Sequence, residues 1–182
     1  MKVEKIHHVA YRCHDAKETV DWYVENLKMD FLLAIAEDQV PSTKEPDPYM
    51  HVFLDAGQGN VLAFFELPTK APMERDENTP EWVQHIAFQV KDMETLEQYK
   101  AHLEGNGVDV IGVTDHSVFH SIYFFDPNGH RLELAAPDPQ EQAKLSRLDE
   151  VKWQMLEEWS QTKRAPKHAD WMHSGEFQGL DG

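Results

Sequence analysis

Cysteine is nearly missing from this sequence: Cys13 is the only one in 182 residues. An internal disulfide is therefore impossible and a thiolate-rich zinc knot is excluded, so any bound metal must be held by His and carboxylate side chains. Positive charge is also scarce. Seventeen Lys and Arg stand against 33 Asp and Glu, a formal charge of −16. Such a surface repels phosphate backbones and anionic lipid, so the expected partner is a small molecule, not nucleic acid or a membrane. Long apolar runs are absent as well. The opening MKVEKIHHVAYRC lacks the apolar stretch of a signal peptide, and no later stretch reaches the roughly 18 residues that span a bilayer. A cytoplasmic protein is the expectation.

What is present is a globular composition, 41% hydrophobic and 27% charged, on a chain long enough for one compact domain or two small units sharing a core. The sequence repeats itself. HVAYRCHDAKETVDWY from His8 matches HIAFQVKDMETLEQYK from His85 at a constant offset of 77 residues. In both copies a His is followed by an aliphatic residue, Ala and an aromatic, and an Asp stands seven positions after the His.

Each copy opens on a strand of alternating character. Val9, Tyr11 and Cys13 share one face, with His8, Ala10 and Arg12 on the other. Ile86, Phe88 and Val90 likewise stand opposite His85, Ala87 and Gln89. The apolar face is expected to pack on a helix while the His face looks away. Asp15 and Asp92 are placed as helix N-caps, with Glu18 completing a possible capping box, which predicts helices over 16–27 and 93–104. Strand-like runs follow at 31–36, 50–54 and 61–67, then at 108–113, 118–125 and 131–135. The order is βαβββ twice.

This predicts an α+β fold in which two paired βαβββ modules form a cupped mixed sheet. The first module covers 1–68, a Pro-rich charged linker 69–80, the second module 81–137, and a C-terminal helix and tail 138–182. The polar stretch 38–49 reads as a long loop able to cover a site. Leu145, Leu148, Val151, Met155, Leu156 and Trp159 recur at helical spacing, which predicts an amphipathic helix laid on the body or on a second subunit of a homodimer. The last dozen residues, with His173 among them, are expected to be mobile.

Two His at equivalent positions of a duplicated strand would meet if the modules pair around a pseudo-twofold axis, building half of a metal site. The third ligand is expected from the last hairpin, IYFFDPNGHRLEL. Asp126, Pro127, Asn128 and Gly129 suit a type I turn followed by a left-handed Gly and a G1 bulge. That register pairs Phe125 with Arg131 and Tyr123 with Glu133, while Ile122, Phe124, Leu132 and Leu134 turn to the core. A carboxylate on a strand flanked by Leu then faces the same way as the two His.

With these residues in view the chain resembles the vicinal oxygen chelate superfamily, which includes glyoxalase I, fosfomycin-resistance transferases and type I extradiol ring-cleaving dioxygenases. The resemblance covers about residues 4–137 and implies His8, His85 and Glu133 as ligands of one divalent metal. A 2-His-1-carboxylate set with open positions suits Fe(II) oxygen chemistry and accommodates Mn(II), with Ni(II) or Zn(II) as alternatives. Glyoxalase I adds a fourth ligand from the last strand of its first module. Aligning GNVLAFF on GHRLELA puts Ala63 at that place, with Glu66 three residues on.

The extradiol signature is met by Thr114, His116, Ile122, Tyr123, Asp126, Pro127, Gly129 and Glu133. The resemblance implies that Tyr123 hydrogen-bonds a catechol hydroxyl and that His116 stabilises bound oxygen species. One departure stands out: the usual acid–base His before the second His ligand aligns with Asn60, which cannot shuttle a proton, and His120 or His51 is left to take that role. His120, however, has the parity of Ile122 and Phe124, which points it away from Tyr123. The expected function is ring cleavage of a catechol-like aromatic with O2. The alternatives are a glyoxalase- or fosfomycin-resistance-like lyase or transferase on a small oxyanion, with Arg12 and Arg131 supplying charge, and a non-catalytic small-molecule binder.

Overall fold

In the computed structural model, residues 2–168 and 171 are described. The first repeat folds as β1 (Val9–Cys13), α1 (Ala16–Leu27), β2 (Asp30–Gln39), β3 (Pro46–Asp55) and β4 (Val61–Glu66). The second folds as β5 (Ile86–Gln89), α2 (Met93–Gly105), β6 (Ile111–Asp115), β7 (Phe119–Phe125) and β8 (Arg131–Pro137), and α3 (Glu141–Thr162) follows. The fold is α+β. Each unit has its own four-stranded mixed sheet, ordered β1-β4-β3-β2 and β5-β8-β7-β6. In both, the first strand runs parallel to the last and the remaining neighbours are antiparallel.

Local chemistry starts both helices in the same way. The Asp15 carboxyl accepts the Glu18 N–H at 2.8 Å and the Asp92 carboxyl accepts the Thr95 N–H at 2.9 Å, satisfying first-turn donors that have no partner within the helix. The hairpin β7–β8 takes the expected register, Tyr123 opposite Glu133 and Phe125 opposite Arg131. Gly129 sits at φ +83, where a Cβ would be strained, and its N–H closes the turn on the Asp126 carbonyl.

The two units share one core. Tyr23, Leu54 and Phe64 from the first and Leu96, Ile122, Phe124 and Leu132 from the second are fully buried in a single apolar cluster. Polar contacts fasten the units at its edges. Tyr23 donates to the Asp126 carboxyl at 3.1 Å, Asn106 donates to the Asn26 side chain at 2.9 Å, and Asn128 accepts the His14 N–H at 2.8 Å. The helix-covered sides of the sheets thus face one another, and their opposite sides are left open.

Two expectations are corrected. The apolar face of β1 is covered only at its end: Cys13 is buried, but Val9 and Tyr11 stay partly exposed. The stretch 38–49 is no covering loop, because β2 and β3 take up half of it and close a tight hairpin with the Val40 N–H on the Glu45 carbonyl at 3.0 Å. The C-terminal helix forms as expected, with Leu148, Val151 and Met155 half-buried along one stripe. Lys144 is its buried residue, bonded to Asp138 at 2.8 Å, while Leu145, Trp153, Leu156 and Trp159 are exposed. The expectation for the last dozen residues falls, Trp171 apart, outside the described residues. Among the described residues no helix is long and apolar enough to cross a membrane.

The Tyr23–Asp126 bond joins α1 of one unit to the hairpin turn of the other with both groups buried. Tyr23→Phe removes the donor and keeps the ring, so unfolding stability should fall by about 1–2 kcal/mol with little change in the denaturant slope. An unchanged urea midpoint would show that this bond does not fasten the units.

Candidate metal and substrate site

Alternation along each strand defines what the open faces carry. On the second sheet these are His85 and Ala87 at β5, Arg131, Glu133 and Ala135 on β8, and Ser121 and Tyr123 on β7. On the first they are His8, Ala10 and Arg12, then Ala63 and Phe65 on β4, His51 and Phe53 on β3, and Leu33 and Ile35 on β2.

The second face holds a connected polar cluster. Glu133 is only 3% exposed, and its two carboxylate oxygens are taken by different partners. Ser121 Oγ donates to Oε1 in a short hydrogen bond, and His85 Nε2 lies 2.9 Å from Oε2. The other imidazole nitrogen, Nδ1, is 3.1 Å from the Val83 carbonyl oxygen. A carbonyl has no proton to give, so Nδ1 carries the hydrogen and Nε2 of the neutral ring turns a lone pair toward Glu133. A lone pair facing a buried carboxylate at this distance is repulsive unless positive charge, as a proton on His85 or as a metal cation, lies between them. The donor chemistry of the pair, imidazole and carboxylate, therefore fits a divalent metal.

Tyr123 stands beside this pair. Its hydroxyl is 2.7 Å from His116 Nε2, its ring meets that of His85 edge-on with centroids 6.0 Å apart, and the Arg131 guanidinium carbon sits 4.5 Å from its ring centroid. Burial, and then the negative charge of Glu133, push the Tyr123 phenol above its usual pKa, so it is a hydrogen-bond donor at neutral pH. The linker, β5 and the β7–β8 turn enclose a cavity of about 750 Å³ next to this cluster, lined among others by Tyr11, Arg75, His85, His130 and Arg131.

The remaining candidates divide clearly. His116 and Tyr123 are brought together, as are His85 and Glu133. His120 is not with them. It lies on the core side of β7, 3.7 Å from Asp115, because two-residue alternation sends it with Ile122 and Phe124. His8 stays with the first sheet, its Nδ1 2.8 Å from His7 Nδ1 and its ring 6.1 Å from that of His51. Among the described residues no group of three or more His, Cys, Asp or Glu side chains is close enough to hold a metal ion. The single chain therefore presents His85 and Glu133 together and His8 elsewhere, because the units pack through their helix-covered sides and not through their His faces.

Other residues resolve as scaffold. Ala10 pairs with Ala63 where Ala87 pairs with Glu133, so Ala63 occupies the place of Glu133 in the first unit. Glu66 accepts the Ala16 N–H at 2.8 Å at the start of α1. Asn60 lies in the β3–β4 turn with its amide on the Gly57 carbonyl at 2.9 Å. The Arg12 guanidinium is bonded to the Ala71 carbonyl at 2.6 Å. Sequence reasoning missed Ser121 as the group that orients Glu133, although its spacing of two from Tyr123 was the signal. It also missed how closely His51 joins an aromatic cluster, its ring stacked on Phe65 at 3.5 Å.

Comparison with known proteins bears on these residues. The Glyoxalase/Bleomycin resistance protein/Dioxygenase superfamily matches residues 5–134. A Bacillus subtilis (strain 168) protein named "Putative ring-cleaving dioxygenase MhqA" is 30% identical over 142 residues, which are 76% of this chain and 42% of that protein. The chain thus spans less than half the length of that relative. Among solved structures, the trypanothione-dependent glyoxalase I of Leishmania major has a TM-score of 0.58 at 24% identity, covering 84% of this chain and 98% of its own. The fosfomycin resistance protein FosX of Listeria monocytogenes has 0.57 at 20%, covering 78% and 99%. A variant of FosX was solved complexed with Mn(II).

The capping role of Glu66 separates it from any ligand role. Glu66→Ala should lower stability by about 1 kcal/mol through the lost helix-start bond and leave divalent metal content unchanged. Loss of metal from a folded Glu66→Ala protein would return Glu66 to the ligand set.

Proposed function

Because the chain belongs to the glyoxalase/bleomycin resistance protein/dioxygenase superfamily, we propose that it is a metal-dependent ring-cleaving dioxygenase of the extradiol type, acting on a catechol-like aromatic with O2. The ligands in this reading are His8, His85 and Glu133. The observation that carries it is the His85–Glu133 pair, Nε2 against carboxylate at 2.9 Å, with the Tyr123 hydroxyl and His116 joined beside it at 2.7 Å. A metal pair alone would serve many reactions. The adjoining phenol and imidazole supply the donors that a dihydroxy aromatic requires.

A divalent metal held there, Fe(II) for this chemistry, supplies a Lewis acid for the substrate oxygens and a redox centre for O2. The protein residues do the rest. Ser121 fixes the Glu133 carboxylate in one orientation, and the Val83 carbonyl does the same for the His85 ring. Tyr123 donates its hydroxyl proton to a substrate oxygen and orients the diol. His116, bonded to that hydroxyl, holds it in place and provides a second nitrogen for proton exchange. The Arg131 guanidinium on the Tyr123 ring restricts the ring and brings positive charge to the face.

A second reading has its own observation. Arg131 Nε is buried without a hydrogen-bond partner, a donor that an oxyanion substrate could use in a lyase or transferase reaction of the glyoxalase or fosfomycin-resistance kind.

The two readings separate in an oxygen electrode. Anaerobically Fe(II)-loaded protein, screened against substituted catechols and hydroquinones, should consume O2 with at least one aromatic diol. Tyr123→Phe should slow that turnover by roughly ten- to a thousandfold while metal content stays intact, since a donor and not a ligand is removed. If no diol draws oxygen, yet a methylglyoxal–thiol adduct or an epoxide turns over with a redox-inert metal, the dioxygenase reading is wrong and the oxyanion reading replaces it.

A further inference from the structure

We infer that the outer stripe of α3 is a self-association surface, on which a second copy of this chain lays its own α3 antiparallel. α3 presents two stripes side by side. At about 3.6 residues per turn, Lys144, Leu148, Val151, Met155 and Glu158 fall together on an inner side, and each is buried or half-buried. The chain beyond the helix returns along that side: His168 Nδ1 lies 3.1 Å from Glu158 Oε2, and the Arg147 guanidinium carbon sits 4.2 Å from the Trp171 ring centroid.

The outer stripe has another character. Leu145, Asp149, Lys152, Leu156 and Trp159 follow one another at intervals of four, three, four and three residues, the spacing of a helix–helix seam. All five are exposed, Leu156 at 58% and Trp159 at 47%, and Trp153 at the flank of the stripe is 72% exposed. Two Leu and two Trp on one side of an exposed helix mark a contact surface, not a solvated face.

The order of residues along the stripe names the occupant. From Leu145 to Leu156 it reads apolar, acidic, basic, apolar, and from the other end it is the charge complement of itself. Two copies laid antiparallel, about an axis between Asp149 and Lys152, set Leu145 of each on Leu156 of the other and Asp149 of each against Lys152 of the other. The parallel alternative sets Asp149 on Asp149 and Lys152 on Lys152, like charges that repel. Within one chain Lys152 and Asp149 bond each other with side chains 55% and 69% exposed, so both can turn to a second copy without giving up a buried partner. An unrelated partner would need the same pattern by coincidence; a second copy brings it by construction. The charged pair in the middle of the seam fixes its direction and register at some cost in strength.

Disulfide trapping tests this geometry. Leu145→Cys and Leu156→Cys both alter exposed positions, and the native Cys13 is 2% exposed and does not compete. Alone, neither variant should cross-link, because in antiparallel register each new thiol lies about 16 Å along the axis from its counterpart. Mixed and oxidised, the two variants should give a disulfide-linked dimer joined between the two substituted positions. Asp149→Lys placed in both chains should cut its yield roughly three- to tenfold, and adding Lys152→Asp should restore it, since exchanging the signs preserves the complementarity. Cross-linking reads contact at this stripe, so association through any other surface, sheet faces included, does not register. Cross-links within each single variant and none in the mixture would mean parallel pairing and overturn the inference. No cross-link in any arm overturns it as well, the stripe then being left to solvent or covered by other residues of its own chain. So does a yield that Asp149→Lys leaves unmoved, because the contact is then not the self-complementary seam.

Discussion

The Asp126 carboxyl is the point on which both the turn and the packing of the units depend. It accepts the backbone N–H groups of Asn128 and His130 at 2.9 and 2.8 Å and the Asn128 amide at 3.0 Å, which shapes the β7–β8 turn. It also accepts the Tyr23 hydroxyl at 3.1 Å, which draws α1 of the first unit onto that turn. The first set of bonds fixes the register that puts Tyr123 beside Glu133. The bond to Tyr23 helps decide that the units meet through their covered sides, and so that the chemical faces look outward. The register of this face and its outward turn thus have the same origin.

The duplication shows how one scaffold acquired two different faces. Register equates Ala63 with Glu133 and Phe53 with Tyr123, because Ala63 pairs with Phe53 as Glu133 pairs with Tyr123. It likewise equates Phe65 with Ala135 and His51 with Ser121. Burying a carboxylate costs several kcal/mol unless it is paired and hydrogen-bonded, and in the second unit Ser121 and His85 compensate one. In the first unit the places of Glu133, Ser121 and His85 hold Ala63, His51 and His8, and Phe53 and Phe65 stand where Tyr123 and Ala135 do. Its open face is an aromatic wall with histidines at one margin. The two faces are complementary in kind: one carries the ligands and donors, the other the surface against which an aromatic ring can stack.

Much of this was legible because strand alternation is a strict rule. The repeat from His8 and His85, the N-caps Asp15 and Asp92, the Tyr123–Glu133 pair and the inward turn of Ile122 and Phe124 all follow from period and turn chemistry alone. The same parity placed His120 on the wrong side for a role beside Tyr123, and the structure agrees with the parity. What could not be read was which sides of the two sheets meet. Alternation assigns a face to each residue but carries no information on how the units dock, which is settled by contacts such as Tyr23 to Asp126 across 103 positions of sequence. The stretch 38–49 misled for a related reason. Its polar residues suggested a loop, but pairing with the neighbouring strand overrode their low strand propensity.

Charge bears on the choice between the two substrate classes. At a formal −16 the protein as a whole opposes the approach of an anion, so an oxyanion substrate needs a strong local positive field to enter. The local cations are poorly disposed to provide one. Arg12 is tied to the Ala71 carbonyl, and the Arg131 guanidinium lies over the Tyr123 ring, with the buried Glu133 on the same face to offset it. A neutral catechol meets no such barrier. It would reach the face as an uncharged ring and present hydroxyl groups to the Tyr123 and His116 donors. Long-range repulsion therefore favours the neutral diol of the proposed reading over an anionic substrate.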